Sequence, residues 1–387
     1  MNDHIYLDYA ATTPMDPRVL TAMAPYFRDV FGNPASVHRY GQRAEAAVDL
    51  ARETVAGALN CDPEEIIFTS GGTESDNLAV RGAALARRKA MGSGRIHISR
   101  TEHPAVGKTA EDLARHYGFE LAWLENDKTG LVPTSSVEKS IDSQSALVSV
   151  IYANNEIGTL NPVGEIAAAC RARGVPFHTD AVQAAAYLPI DVHALGVDLL
   201  SIGAHKLYGP KGVGALYVRK GVELIPIQTG GGHETGLRSG THNVPLIVGL
   251  AEALRLAAEE REARVGHVRL LRDQIIGAVL ESVPDSTLTG HPEFRLPNHA
   301  SFAFKDVDGN LLLTLLDGAG FACSSGSACK TGNPEPNEVM AAIGLSPDWG
   351  LGSLRVTVGM GTTVADVDAF LKTLQPLVEK ARAIHKR

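Results

Sequence analysis

The chain has 387 residues, 44% hydrophobic and 21% charged, with a formal net charge of −8. That length exceeds one ordinary core and predicts about two domains, and the acidic balance excludes a surface that as a whole attracts nucleic acid or acidic lipid. No apolar run approaches the ~20 residues of a membrane span. The opening Met1-Asn-Asp-His-Ile-Tyr-Leu-Asp has no apolar core of a signal peptide, so a cytoplasmic protein is expected. Basic residues gather at Arg87, Arg88 and Lys89 and from Lys380 to Arg387, and both groups read first as solvated helix faces.

In chain order, Glu65-Ile-Ile-Phe-Thr reads as a short buried strand that runs into Ser70-Gly-Gly-Thr-Glu-Ser-Asp-Asn and a helix from Leu78 to about Ala90. Strand Arg95-Ile-His-Ile-Ser, a helix from about Pro104 to Tyr117 and strand Phe119-Glu-Leu-Ala-Trp follow. Ala146 to Tyr152 is apolar and β-branched, Val163 to Arg173 helical, and 175–179, 198–202 and 213–218 extended. Strands alternating with helices predict a mostly parallel sheet. After Gly240 come two long helices, Pro245–Glu259 and Glu260–Glu281, then strand Ser301–Phe304, helix Gly309–Leu316, a Ser/Gly/Cys loop, strand Leu354–Val358 and a last helix from Val364 to Ile384. The predicted fold is α/β, with a large domain over residues 16–258. A smaller α+β domain is expected from residues 1–15 with 259–387, including a mobile cysteine loop at about 323–333.

Four stretches carry chemistry. Lys206, in Ser201-Ile-Gly-Ala-His-Lys-Leu-Tyr-Gly-Pro-Lys-Gly, sits just past an apolar strand inside a Gly-rich turn. At the C-terminal end of a parallel strand it would enter a ligand crevice, where desolvation lowers an amine's pKa and suits it to Schiff-base formation. A surface lysine is the plain alternative, and Lys211 is its competitor. Thr69-Ser-Gly-Gly72-Thr73-Glu-Ser reads either as a phosphate cradle at a helix N-terminus or as an ordinary capped helix start; it is not a Walker loop. Asp180, in His178-Thr-Asp-Ala-Val-Gln183, can pair with a protonated pyridine nitrogen or simply cap a helix. Together, lysine, cradle and strand-end acid are the three parts of a pyridoxal-phosphate site.

The fourth stretch is Cys323-Ser-Ser-Gly-Ser-Ala-Cys329-Lys330. Small residues around Cys329 predict an exposed loop, and Lys330 beside it favours the reactive thiolate. Cys323 reads as structural, and Cys61 and Cys170 as inert. Four cysteines without CxxC or Cys/His ligand spacing point to neither a disulfide framework nor a metal site.

The sequence resembles the class V aminotransferase family, specifically its group I cysteine desulfurases of the NifS/IscS type. The resemblance rests on Tyr6-Leu-Asp-Tyr-Ala-Ala-Thr-Thr-Pro, Gly32-Asn-Pro-Ala-Ser, Phe68 to Asn77, Thr101-Glu-His103, Asn154-Asn155-Glu-Ile-Gly, Asp180 with Gln183, and His205-Lys206. Gly230-Gly-Gly-His-Glu, Arg238-Ser-Gly-Thr241, Ser324 to Cys329 and Arg355 extend it through nearly the whole chain. It implies the type I fold of pyridoxal-phosphate transferases, a homodimer, L-cysteine as substrate and a sulfur-acceptor protein, either an iron–sulfur scaffold or a tRNA-thiolating enzyme. By position, Lys206 bonds the coenzyme and later moves the α-proton, while His103 stacks on its ring and serves as acid or base. Asp180 pairs with the ring nitrogen, and Gln183 and Asn155 face the phenolic oxygen. Gly72, Thr73 and His205 hold the phosphate, with Thr241 from the second subunit. Arg355 and Asn155 receive the substrate carboxylate, and Cys329 takes the sulfur as a persulfide.

Three departures stand out. Gly203 occupies a position that usually carries a phosphate-binding serine, so weaker coenzyme holding is expected. Met360-Gly361 replaces a more usual Arg-Phe. The sequence ends at Arg387 without the extension many iron–sulfur assembly members use to dock a scaffold. The alternatives to a desulfurase are a selenocysteine lyase, a class V aminotransferase, or a non-enzymatic sulfur-relay scaffold.

Overall fold

The computed structural model describes residues 4–92, 94–325 and 337–385. Its twelve strands are β1 Ile5–Tyr6, β2 Ile66–Thr69, β3 Arg95–Ser99, β4 Glu120–Leu124, β5 Ser145–Ser149, β6 Phe177–Asp180, β7 Leu199–Gly203, β8 Gly214–Val218, β9 Ser286–Leu288, β10 His299–Phe304, β11 Phe321–Ala322 and β12 Ser353–Thr357. Seven of them form one sheet in the order β2-β8-β7-β6-β5-β3-β4, in which only β8 runs against the rest. Helices cover this sheet, so β2, β5, β6, β7 and β8 are buried at every position. That burial explains the largely apolar runs of β2, β7 and β8 in place of alternation. The edge strand β4 is the exception, with Glu120 and Trp123 exposed.

The Pro104–Tyr117 helix is as expected from its ends. Proline stands at its start, His103 caps it by accepting from the Ala105 N–H at 3.1 Å, and Gly118 closes it at φ 68°. The Gly72–Met91 helix differs: it begins six residues before the predicted Leu78, directly on the glycine pair. The 21-residue Arg39–Leu59 helix has no counterpart among the predicted elements. Its buried face nonetheless follows helical spacing at Ala44, Val48, Ala51, Val55 and Leu59. It packs against the Val244–Glu259 helix.

A second sheet, β12-β10-β9, is antiparallel and packs on the Arg261–Ser282 helix. A parallel pair, β1 with β11, ties the N-terminus to the later part of the chain. One apolar core runs through both sheets, from Phe177 and Leu200 to Phe302, Val356 and Phe370. No helix among the described residues is long and apolar enough to cross a membrane.

Candidate active site

The C-terminal ends of the parallel strands converge on one cavity of about 610 Å³. Gly72 and Thr73 follow β2, His103 follows β3, Ile151 and Asn155 follow β5, Asp180 ends β6, and His205 and Lys206 follow β7. Open parallel sheets place ligands at this edge because strand ends there release the chain into loops and helix N-termini. Arg355, from β12 of the second sheet, closes the cavity.

Lys206 lies in a single 3-10 turn after β7. Its Nζ donates to the Ala10 and Ala11 carbonyls, each at 2.6 Å. Burial, and then the positive Arg355, lower its pKa to about 8. The N-terminal segment straps this turn from above. Thr13 N–H and Oγ1 both donate to the His205 carbonyl at 3.0 and 2.9 Å, and Gln183 Nε2 donates to the Ala10 carbonyl at 2.9 Å. Lys211 also lines the cavity, but it is exposed on the following loop.

Asp180 is buried, and its Oδ1 accepts only the Val182 N–H, at 2.8 Å. Burial raises its pKa, while His103 and Lys206 pull it back down. Gly72 opens the long helix after β2, which leaves backbone N–H groups and the positive helix end facing the cavity. A Cβ on Gly72 would stand 2.6 Å from Val182 Cγ2, so this approach requires glycine. His205 Nδ1 lies 3.2 Å from Thr12 Oγ1, and burial followed by the charge of Lys206 lowers its pKa to about 4.

Arg355 is buried and held as a fork. Its Nη2 donates to Asp8 Oδ1 at 2.9 Å, and its Nη1 donates to the Asn155 carbonyl at 2.9 Å and Glu156 Oε1 at 3.3 Å. Its Nε has no hydrogen-bond partner.

The structure therefore brings Gly72, Thr73, His103, Asn155, Asp180, Gln183, His205, Lys206 and Arg355 around one space. Gly203 lies just beneath it, with its Cβ direction 3.4 Å from the Gly72 nitrogen. Thr241 is exposed and is not among the residues lining the cavity of its own chain. Cys329 and Lys330 lie outside the described residues. Asp8, Asp76 and Glu156 are additions that no pattern in the sequence assigned a role. Asp8 meets Arg355 across 347 positions, which no local pattern signals. At the Met360-Gly361 departure the Met360 side chain is exposed and nothing in the structure explains it. The Met360 N–H donates to Tyr208 Oη at 2.9 Å, and a Cβ at Gly361 would stand 3.1 Å from Tyr9 Oη.

A parallel α/β sheet with a desolvated lysine, a buried acid and a helix-end anion cradle at one edge defines a coenzyme-dependent enzyme site of the transferase kind. The family model for class-V aminotransferases matches residues 5–370. The protein called cysteine desulfurase IscS in Dictyoglomus turgidum is 42% identical over 386 residues, covering 99% of this chain and 97% of that one. Its namesake in Vibrio cholerae is 44% identical over 388 residues, covering 98% and 94%. Among solved structures, a NifS-like protein superposes with a TM-score of 0.90 at 36% identity, over 97% of this chain and all of the other. SspA in complex with cysteine gives 0.80 at 34% identity, over 92% and 99%. The chain belongs to the class-V aminotransferase family, among the cysteine desulfurases of the NifS/IscS type.

Proposed function

We propose that this enzyme removes sulfur from L-cysteine with pyridoxal phosphate, giving L-alanine and a persulfide on Cys329. The observation that carries the reading is a pair of groups on one cavity, a lysine amine with its pKa lowered to about 8 and a buried strand-end aspartate, beside a helix N-terminus. The residues fit the coenzyme. Gly72 and Thr73 offer backbone N–H groups to a phosphate, Asp180 has an oxygen free for a positive ring nitrogen, and His103 lines the same cavity with a flat ring to stack. Pyridoxal phosphate, when bound, supplies an electron sink for the α-carbon of an amino acid.

The chain's own groups do the rest. Lys206 with a pKa near 8 is partly neutral at physiological pH and can take the α-proton. Arg355 offers a planar fork to the substrate carboxylate, already oriented by Asp8 and Glu156. The Cys329 thiolate attacks the substrate sulfur. An S–S bond forms as the substrate's Cβ–S bond breaks, the electron pair stays with carbon, and carbon takes a proton to become alanine. The three described cysteines support this choice. Burial holds Cys61 and Cys170 up at about 12 and pushes Cys323 up as well, so none of them supplies a thiolate at neutral pH.

Two further parts of the reading concern assembly. A homodimer is supported by exposed Phe27, Phe31, Val37 and Tyr40 in the segment that follows the site's N-terminal strap, with the Phe31 and Tyr40 rings 5.5 Å apart. Such a dimer would let Thr241 reach the partner's phosphate cradle. The division into residues 16–258 and residues 1–15 with 259–387 is supported by the β1–β11 pairing. The persulfide would pass to an iron–sulfur scaffold or a tRNA-thiolating enzyme in the cytoplasm, where the unpaired described cysteines are at home.

The test is a pair of variants. Cys329→Ala should lose alanine and sulfide formation from cysteine while keeping the coenzyme's visible absorbance. Lys206→Ala should lose that absorbance band. Full cysteine turnover by Cys329→Ala would sink the persulfide step, and an unchanged band in Lys206→Ala would move the bond to Lys211.

A further inference from the structure

Beside Asp180, on the wall of the same cavity, lies a second buried acid, Asp76, on the first turns of the Gly72–Met91 helix. Asp76 and Asp180 are 1% and 5% exposed, and their carboxylate oxygens and a His103 ring nitrogen lie within 4.8 Å of one another. No described arginine or lysine is ion-paired with either acid. The nearest basic group to Asp76 is His178 Nε2, at 3.6 Å from Oδ1. That histidine is no counter-ion. It is fully buried, its two ring nitrogens meet the Ser149 and Ser201 hydroxyls at 2.9 and 3.0 Å, and burial lowers its pKa to about 3. Asp76 Oδ1 itself has no hydrogen-bond partner, although the Ser201 hydroxyl bonds the same carboxyl and favours its ionised form.

Three groups of this spacing resemble a metal site, but His103 cannot serve it. Its Nδ1 lone pair takes the Ala105 N–H, which leaves the ring proton on Nε2. Two buried carboxylates so close oppose each other's ionisation, and the neighbours His103 and Lys206 favour the charge on Asp180. Burial, and then the charge of Asp180, hold the Asp76 carboxyl well above the usual range. Glu102 faces the same pair, with Oε1 accepting the Ile151 N–H at 2.7 Å, and burial raises it too. The remaining titratable neighbours are His103 and Lys206, both on the cavity side of Asp180.

We propose that Asp76 is a positioning residue that carries a proton beside Asp180, so that the two acids together present one negative charge to the cavity. Asp180 is then left ionised for a cationic ring nitrogen, and Asp76 adds no second charge beside it. The loaded-state part of this rests on the proposed function above; the protonation of the coenzyme-free chain does not.

The experiment uses the full chain, first free of coenzyme and then loaded with pyridoxal phosphate. Infrared spectra of the coenzyme-free protein at neutral pH should show a protonated-carboxyl C=O band that Asp76→Asn removes in part. Coenzyme affinity in Asp76→Asn should stay within about threefold of the parent, with an unshifted pH titration of the visible band, because asparagine is a neutral isostere. A spectrum that Asp76→Asn leaves unchanged would overturn the proposal. So would a tenfold or greater loss of affinity with a shifted titration, which would show Asp76 acting as a second negative charge. Should Asp76→Asn fail to fold, aspartate-labelled parent protein titrated from acid to alkaline pH still decides, since a labelled band absent at neutral pH refutes the shared proton. If the chain takes up no pyridoxal phosphate at all, the proposed function falls while the infrared result still stands or fails alone.

Discussion

Lys206 is where burial and chemistry meet most directly. Its folded pKa, about 8, lies below the ordinary 10.5, so between those values the unfolded chain holds a proton that the folded chain lacks. Stability from this group therefore rises with pH across that window, and the full penalty of burying the cation applies below it. The coenzyme-free chain should gain on the order of 2 kcal/mol relative to Lys206→Met between these limits, a figure reduced for the partial exposure of the side chain. Denaturant titrations of both proteins across the window check it, and parallel curves would refute it. Arg355 gives a second expectation at this scale. Its fork is set by Asp8 on one arm and by Asn155 and Glu156 on the other, and a lysine cannot reproduce that plane. Arg355→Lys should raise KM for cysteine by about tenfold or more with a smaller change in kcat, as steady-state kinetics would show.

At the scale of elements, the proposed coenzyme cradle is a contact between a helix start and a strand end. Gly72 approaches Val182 so closely that a Cβ would meet it at 2.6 Å, whereas a Cβ on Gly203 would stand at an ordinary 3.4 Å from the Gly72 nitrogen. The two glycines should answer substitution in opposite ways. Gly203→Ser should fold normally and tighten pyridoxal-phosphate binding by about threefold to tenfold, through one added hydroxyl donor worth roughly 1 kcal/mol. Gly72→Ala should weaken binding by about tenfold, because Val182 must move into the cradle or the helix start must withdraw. Equilibrium titration of the coenzyme-free variants separates these outcomes. Weakened binding in Gly203→Ser would mean that the space beneath the cradle is not open to a side chain.

At the scale of the whole molecule, the N-terminal strap, the seven-stranded sheet and β12 must all be in place before the cavity exists. Ala10 and Ala11 receive Lys206, Thr13 anchors the turn that bears it, and Asp8 reaches Arg355. The exposed Phe31 and Tyr40 rings lie on this same early part of the chain. If the proposed homodimer forms through this face, charging both, as Phe31→Glu with Tyr40→Glu, should shift the protein to monomer in sedimentation velocity and weaken coenzyme binding together, because Thr241 would lose its proposed place on a partner. A monomer with unaltered coenzyme affinity would show that each chain holds its phosphate unaided.

The central strands and the Pro104–Tyr117 helix are legible in the amino-acid order alone. Buried parallel strands such as Leu199–Gly203 are written as short, largely apolar runs, and that helix carries its proline, its cap and its closing glycine in the open. Lys206, Asp180 and the glycine pair are legible for a related reason: each stands at the end of such a run, where chemistry follows topology. The Arg39–Leu59 helix is absent from the expected elements although Ala44, Val48, Ala51, Val55 and Leu59 repeat at helical spacing, so its signal is present in the sequence. Asp8 and Asp76 are not legible. One meets its partner across almost the whole chain, and the other becomes an acid of consequence only once folding removes its water and sets Asp180 beside it. Sequence by itself determined which groups could act. Tertiary structure decided how each is charged and held, because desolvation and long-range contact exist only in the folded chain.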